Sequence, residues 1–283
     1  MKNSIYIIII LVSFLTISCS EKIDIELNDD ENSRLVVEGN ITTQKTIHTI
    51  KLTRTTSYFA NQPAPVESGA IVEIQEEGSP NAFVLNEAAP GIYQTDSVAG
   101  KVGKNYTLYI KQSNGEEFSA TTYLDTVPEM DLIDYEYKEF PFHGNPVTFY
   151  ILKLFAQEPE GKGNNYQFNI YLDGVWDNDT LREAVYDTDE FMDGMYLPGV
   201  DIYYIESDKL KKDTTRVRVD MLSIPYELLE YNVAVMLETD WRGSPFDGPP
   251  ANIPTNISNG ALGFFSASDI SSFELDVILV DEE

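Results

Sequence analysis

The chain has 283 residues, a formal charge of −28 and a pI near 4.2. A polyanion of this strength is repelled by phosphate backbones and anionic lipid surfaces, which excludes nucleic-acid binding. A hydrophobic share of 42 % with 12 % aromatics suffices for a real core, and the single cysteine leaves neither an intramolecular disulfide nor a thiolate metal cluster.

Lys2 precedes an almost wholly apolar run over residues 5–15, with isoleucine at each of positions 7–10. That length suits the apolar region of a signal peptide and falls short of the about 20 residues of a membrane span. The run ends in Leu15-Thr16-Ile17-Ser18-Cys19, small and apolar residues before a cysteine, as a lipoprotein signal peptidase requires. Residues 1–18 therefore read as a lipoprotein signal peptide and Cys19 as the lipidated residue. Its acyl chains would contribute about 0.8 kcal/mol per buried CH₂. The competing reading is an ordinary secretory signal with an incidental cysteine. Residues 19–33 are acidic and lack a large apolar cluster, and read as a lipidated tether. The alternation of Ile23, Ile25 and Leu27 would otherwise make an edge strand.

From residue 35 the pattern has period two. Strands are predicted at 35–39, 46–55, 70–74, 83–85, 91–93, 106–110 and 118–123, with Asn114-Gly115 as a hairpin turn. Short strands separated by turn signals predict a β-sandwich of immunoglobulin-like or prealbumin-like type over residues 34–127. Pro128 opens a second β-rich (α+β) region, residues 128–283, with strands at 132–137, 147–155, 166–172, 214–222 and 273–280. Residues 177–199 are acidic and irregular and read as a long loop. Leu222, Tyr226, Leu229, Val233, Met236 and Leu237 recur at helical spacing. They predict one principal helix over 224–239, capped by Ser223, with Pro225 in its first turn and the apolar stripe facing the core. The fold class is mainly β.

Phe246-Asp247-Gly248-Pro249-Pro250-Ala251-Asn252-Ile253-Pro254-Thr255-Asn256-Ile257 and the following Asn259-Gly260-Ala261-Leu262-Gly263-Phe264-Phe265 resemble the closing motif of a Bacteroidota outer-membrane lipoprotein family of unknown function, domain of unknown function 4249. Val36-Val37-Glu38-Gly39 and Gly91-Ile92-Tyr93 resemble it too, so the similarity runs from about residue 33 to the end. The resemblance implies a signal peptide, a lipid anchor, an N-terminal β-sandwich and a C-terminal region with one helix. Members commonly sit beside TonB-dependent receptors, which implies a surface-exposed accessory of nutrient uptake in the outer membrane. Glu21, Asp24 and Glu26 resemble the surface-export signals of such lipoproteins. The family carries over no binding residues.

His48 and His143 are the only histidines, and no nucleophile elbow, metalloprotease helix motif or phosphate-binding loop is present. The expectation is a non-catalytic protein without a cofactor, the competing one a secreted hydrolase. Asp173, Asp177 and Asp179, then Asp187 and Asp189 with Glu190 and Asp193, have the alternating oxygen donors of a calcium site, although Phe191 stands where a third loop ligand belongs. A solvated acidic loop is the plainer reading. Trp176, Trp241 and the Tyr203-Tyr204 pair could form a platform for a ligand or partner. Asn252 and Asn256 lie in the proline-rich segment, where amides either contact a partner or bond backbone groups and clasp the turn. The function expected is a surface lipoprotein that binds ligand for a TonB-dependent transporter or docks on it. A structural or adhesive surface lipoprotein is the alternative.

Overall fold

The computed structural model describes residues 33–56, 62–142, 145–211, 213–239 and 252–279. Cys19, His143 and Trp241 lie outside them. No described helix is long and apolar enough to cross a membrane.

Strand β1 (Leu35–Thr42) buries Leu35, Val37 and Ile41 and exposes Glu38, because successive side chains of a strand point to opposite faces. The same alternation shapes β2 (Thr46–Arg54), β3 (Ile71–Glu76), β6 (Lys104–Lys111) and β7 (Glu117–Leu124). With β4 (Phe83–Ala89), β5 (Ile92–Val98) and β15 (Leu262–Ser268) they form one eight-stranded sheet, in the order β15-β1-β2-β5-β4-β3-β6-β7.

The chain is mainly β, as expected, but the first region is a single curled sheet where two facing sheets were expected. Phe83 to Leu85 of β4 pair with β3, whereas Asn86 to Ala89 pair with β5 across a register shift. One bent strand thus joins both halves. At the other seam β7 and β15 approach without forming a ladder. The segment before β15 bridges them. The Ser258 N–H donates to the Ser119 carbonyl at 2.8 Å, the Ser119 N–H donates to the Ser258 hydroxyl at 2.8 Å, and the Asn259 amide donates to the Glu117 carbonyl. The result is a nearly closed barrel around Val37, Ile50, Leu52, Ile74, Leu108 and Phe265. Ile257, Ala261 and Ala267 belong to this core too, so the end of the chain completes the region that opens it.

The second region packs two sheets around one core. The first is β13-β9-β8, from β8 (Met130–Phe142), β9 (Asn145–Gln157) and β13 (Tyr196–Glu206). The second runs β11-β10-β14-β16, from β10 (Asn165–Leu172), β11 (Val175–Trp176), β14 (Thr214–Ser223) and β16 (Ile270–Ile278), with β12 (Val185–Thr188) also on β10. Tyr150, Leu152 and Leu154 meet Phe168, Ile170, Val217 and Val219 between them.

Three expectations are corrected in detail, and one strand was not anticipated. Residues 177–199 are not one loop: β12 and the start of β13 lie there. All four β12 residues are half-buried and a bulge at Pro198/Val200 breaks the alternation, which hid both strands. Strand β15 gave no period-two signal because both its faces are covered, Phe264 under the helix and Phe265 in the barrel. Ser223 ends β14, and its hydroxyl donates to the Asp125 carbonyl at 2.7 Å and accepts the Asp269 N–H at 2.9 Å, so it does not cap the helix. The helix α1 (Tyr226–Thr239) exposes Tyr226, Val233 and Leu237 of the expected core stripe, and the face holding Leu228, Tyr231, Asn232 and Val235 turns inward.

Asp269 stands where β15 leaves the barrel and β16 enters the second region. Its carboxylate accepts the Thr43 hydroxyl at 2.6 Å and the Val127 N–H at 3.1 Å. The β1–β2 turn, the β7–β8 link and the β15–β16 junction are thereby tied at one side chain.

Candidate functional site

Strands β1 and β15 run parallel, with Glu38 opposite Phe264 and Asn40 opposite Ser266. Their neighbours Val37, Ile41, Phe265 and Ala267 fill the barrel, so the side chains of Glu38, Asn40, Phe264 and Ser266 project from its wall. They form one side of a cleft of about 510 Å³, within the roughly 300–1,000 Å³ of small-molecule sites. The inward face of α1 forms the second side, with the Tyr231 and Phe264 ring centres 5.6 Å apart. Gln167 of β10 and Tyr186 of β12 form the third, and Trp176, Asn178, Asp179, Thr180 and Leu181 make the lip.

Trp176 is held by two contacts. Its ring stacks on Tyr171 at 6.1 Å, and the Arg218 guanidinium lies 4.0 Å from the centre of Tyr171. Its Nε1–H donates to Asn178 Oδ1 at 2.9 Å. Asn178 is buried, with Oδ1 also accepting the Ile170 N–H and Nδ2 donating to the Phe168 carbonyl, both at 2.8 Å. This amide takes the place of a neighbouring strand beside β10 and fixes the indole at the lip. Burial raises the Tyr231 hydroxyl above its ordinary pKa, and the charge of Glu38 adds to the rise. Burial raises Tyr186 as well, against a hydrogen bond from Asn232 that lowers it.

The acidic residues proposed as calcium ligands do not converge. Asp173 pairs with Lys211 at 2.6 Å and accepts the Arg216 N–H at 3.0 Å; the Lys211 contact holds its carboxyl below the usual range. Asp177 accepts Lys209 Nζ at 3.0 Å and the Tyr203 hydroxyl at 2.7 Å. Asp179 stands on the cleft lip. Asp187 bonds the Thr188 N–H at 2.8 Å, and burial pushes its carboxyl up. Asp189, 3 % exposed, accepts the N–H groups of Gly163 and Asn164 at 2.8 and 3.1 Å. Among the described residues no three His, Cys, Asp or Glu side chains group as metal ligands.

His48 is buried in β2, its Nε2 bonded to the Val98 carbonyl at 3.1 Å, and burial lowers its pKa. Asn252 lies exposed before β15. Asn256 bonds both backbone groups of Phe265, donating from Nδ2 to its carbonyl at 2.7 Å and accepting its N–H at 3.0 Å. Tyr203 is tied to Asp177, and Tyr204 packs against Phe149 of the paired strand β9, 6.1 Å away; neither tyrosine lines the cleft.

Of the residues singled out in the sequence, the structure brings Trp176 and Asp179 to the cleft. Sequence reasoning missed Glu38, Tyr186, Tyr231, Asn232 and Phe264 as site residues. Glu38 and Phe264 stood in the two motifs that carried the family resemblance, and the alternation of Glu38 with the core residue Val37 marked an outward position, whereas β15 gave no such signal for Phe264.

The chain belongs to the family described as Domain of unknown function (DUF4249), whose profile matches residues 20–274. A comparison with curated proteins finds no match.

Proposed function

We propose that this chain is a non-catalytic, lipid-anchored protein of the outer-membrane surface, an accessory that binds ligand for a TonB-dependent nutrient transporter or docks on it. The observation that carries the ligand-binding part is the cleft between barrel, second sheet and helix, which joins aromatic walls to a few placed polar groups. Its geometry favours binding over chemistry. The buried histidine bonds a backbone carbonyl away from the cleft, and Asn178 is engaged with backbone and indole partners. Membrane attachment rests on the apolar run ending at Cys19, and the transporter on the family resemblance.

Labelled palmitate and cell fractionation test the anchor. Wild type should take up label and sediment with outer membranes, and Cys19→Ala should do neither. A Cys19→Ala chain that stays membrane-bound with undiminished label would overturn it.

A further inference from the structure

We propose that the cleft takes an organic cation, an ammonium or guanidinium group carried on an apolar body. This rests on the reading of the cleft as the ligand site. Four aromatic rings line it, those of Trp176, Tyr186, Tyr231 and Phe264. Among the described residues, the charged side chains of the lining are Glu38 and Asp179, and no Lys, Arg or His lines it; Arg182, next to Leu181 in sequence, stands outside. Aromatic faces carry negative potential and attract cations, most strongly where water is excluded. Two carboxylates beside such faces add to that attraction and repel an anion.

A neutral polyol would depend instead on hydrogen bonds from the lining amides. Asn178 has at most one N–H left to give and no free acceptor, since its oxygen accepts twice and its nitrogen already donates to Phe168. Asn232 is buried and engaged with Tyr186. Glu38 lies close enough to the half-buried Tyr231 for its charge to add to the rise that burial gives that hydroxyl's pKa. Lys51 contacts Glu38 at 3.3 Å, but both side chains are about half exposed and Lys51 does not line the cleft. A contact of that kind is screened by water and yields readily to a ligand.

The test uses the full chain in non-ionic detergent, titrated calorimetrically with 3-phenylpropylamine, 3-phenylpropanol and 3-phenylpropionate. The Glu38→Gln/Trp176→Ala double variant is the blank for partitioning into micelles, and thermal unfolding checks that each variant is folded. The amine should bind at least about tenfold tighter than the alcohol, and the carboxylate should not bind above the blank. Glu38→Gln should weaken the amine severalfold and leave the alcohol unchanged, whereas Trp176→Ala should weaken both. A blocked Phe-Lys dipeptide distinguishes the source: affinity equal to the amine's indicates a basic peptide side chain, lower affinity a free small molecule. Equal affinities for amine and alcohol, both reduced by Trp176→Ala, would overturn the cation and keep the cleft as a ligand site. No binding of any probe above the blank would overturn both and leave docking as the surviving role.

Discussion

Glu38 and Phe264 face each other across the parallel strands β1 and β15, although 225 positions separate them in the chain. Their neighbours Val37 and Phe265 are fully buried in the barrel. The two motifs nearest the ends of the described chain therefore meet in one strand pair, which fills the core with one face and builds the cleft wall with the other. Mutations that loosen β15 should damage barrel and cleft together.

Asn256 acts on β15 as a strand neighbour would. Its amide satisfies the N–H and the carbonyl of Phe265 on the side away from β1. Asn256→Ala leaves both without a protein partner and should cost about 1–3 kcal/mol. Urea unfolding measures this. Partner recovery should fall only in proportion to lost folded protein, and unchanged stability with abolished recovery would make Asn256 a direct contact.

Gly263 is the second constraint on the same strand. Its φ is +92°, and a Cβ there would collide with the backbone carbonyl of Val37. Gly263→Ala combines left-handed strain with a backbone clash and should cost at least about 2 kcal/mol. Gly260→Ala, also at positive φ but with open space around it, should cost less. Denaturant midpoints of the two variants check the order, and equal losses would show that the approach to Val37 does not matter.

The Asp269 carboxylate joins the barrel to the second region through Thr43 and Val127. Asp269→Ala should lower stability by about 1–3 kcal/mol and speed amide exchange at Val127 and Ile270, whose N–H groups it accepts. Amide hydrogen exchange followed residue by residue measures both. Faster exchange spread evenly over the chain would contradict a local fastening role.

Glu158 gives a pH signature. It is 1 % exposed and accepts the Tyr166 hydroxyl at 2.7 Å and the Asn164 amide at 3.3 Å, and burial raises its carboxyl above the ordinary 4.5. A raised folded pKa means that its contribution to stability is full below the unfolded value and is lost as pH rises through the folded one. Glu158→Gln keeps an acceptor for both donors and removes the ionisation. The variant should match wild type at acid pH and become the more stable chain towards neutrality. Urea unfolding across that range checks the sign, and a constant difference would contradict it.

Strands with one buried face were legible in the sequence. Leu35, Val37, Ile50, Leu52, Tyr106, Leu108 and Ile110 alternate with exposed neighbours, and β1, β2 and β6 stand where the pattern put them. The helix was legible from its spacing, but not its orientation: Tyr226, Val233 and Leu237 are apolar yet exposed, and the buried face contains Asn232. Strand β15 was illegible because both faces are covered, and barrel closure depends on hydrogen bonds from Ser258 and Asn259 that no local pattern encodes. The candidate site was half legible. Trp176 stood out by its rarity, whereas Glu38, Tyr231 and Phe264 come together only through the parallel pairing and the packing of the helix.

The most direct measurement of the central proposal is cross-linking in native cells followed by affinity recovery of the full chain from outer membranes. The wild-type protein should be labelled on intact cells by an impermeant reagent and should recover a TonB-dependent transporter. Cys19→Ala should lose both surface labelling and the transporter. A wild-type chain that is protected from the reagent and recovers no transporter would contradict the account and favour a structural or adhesive role.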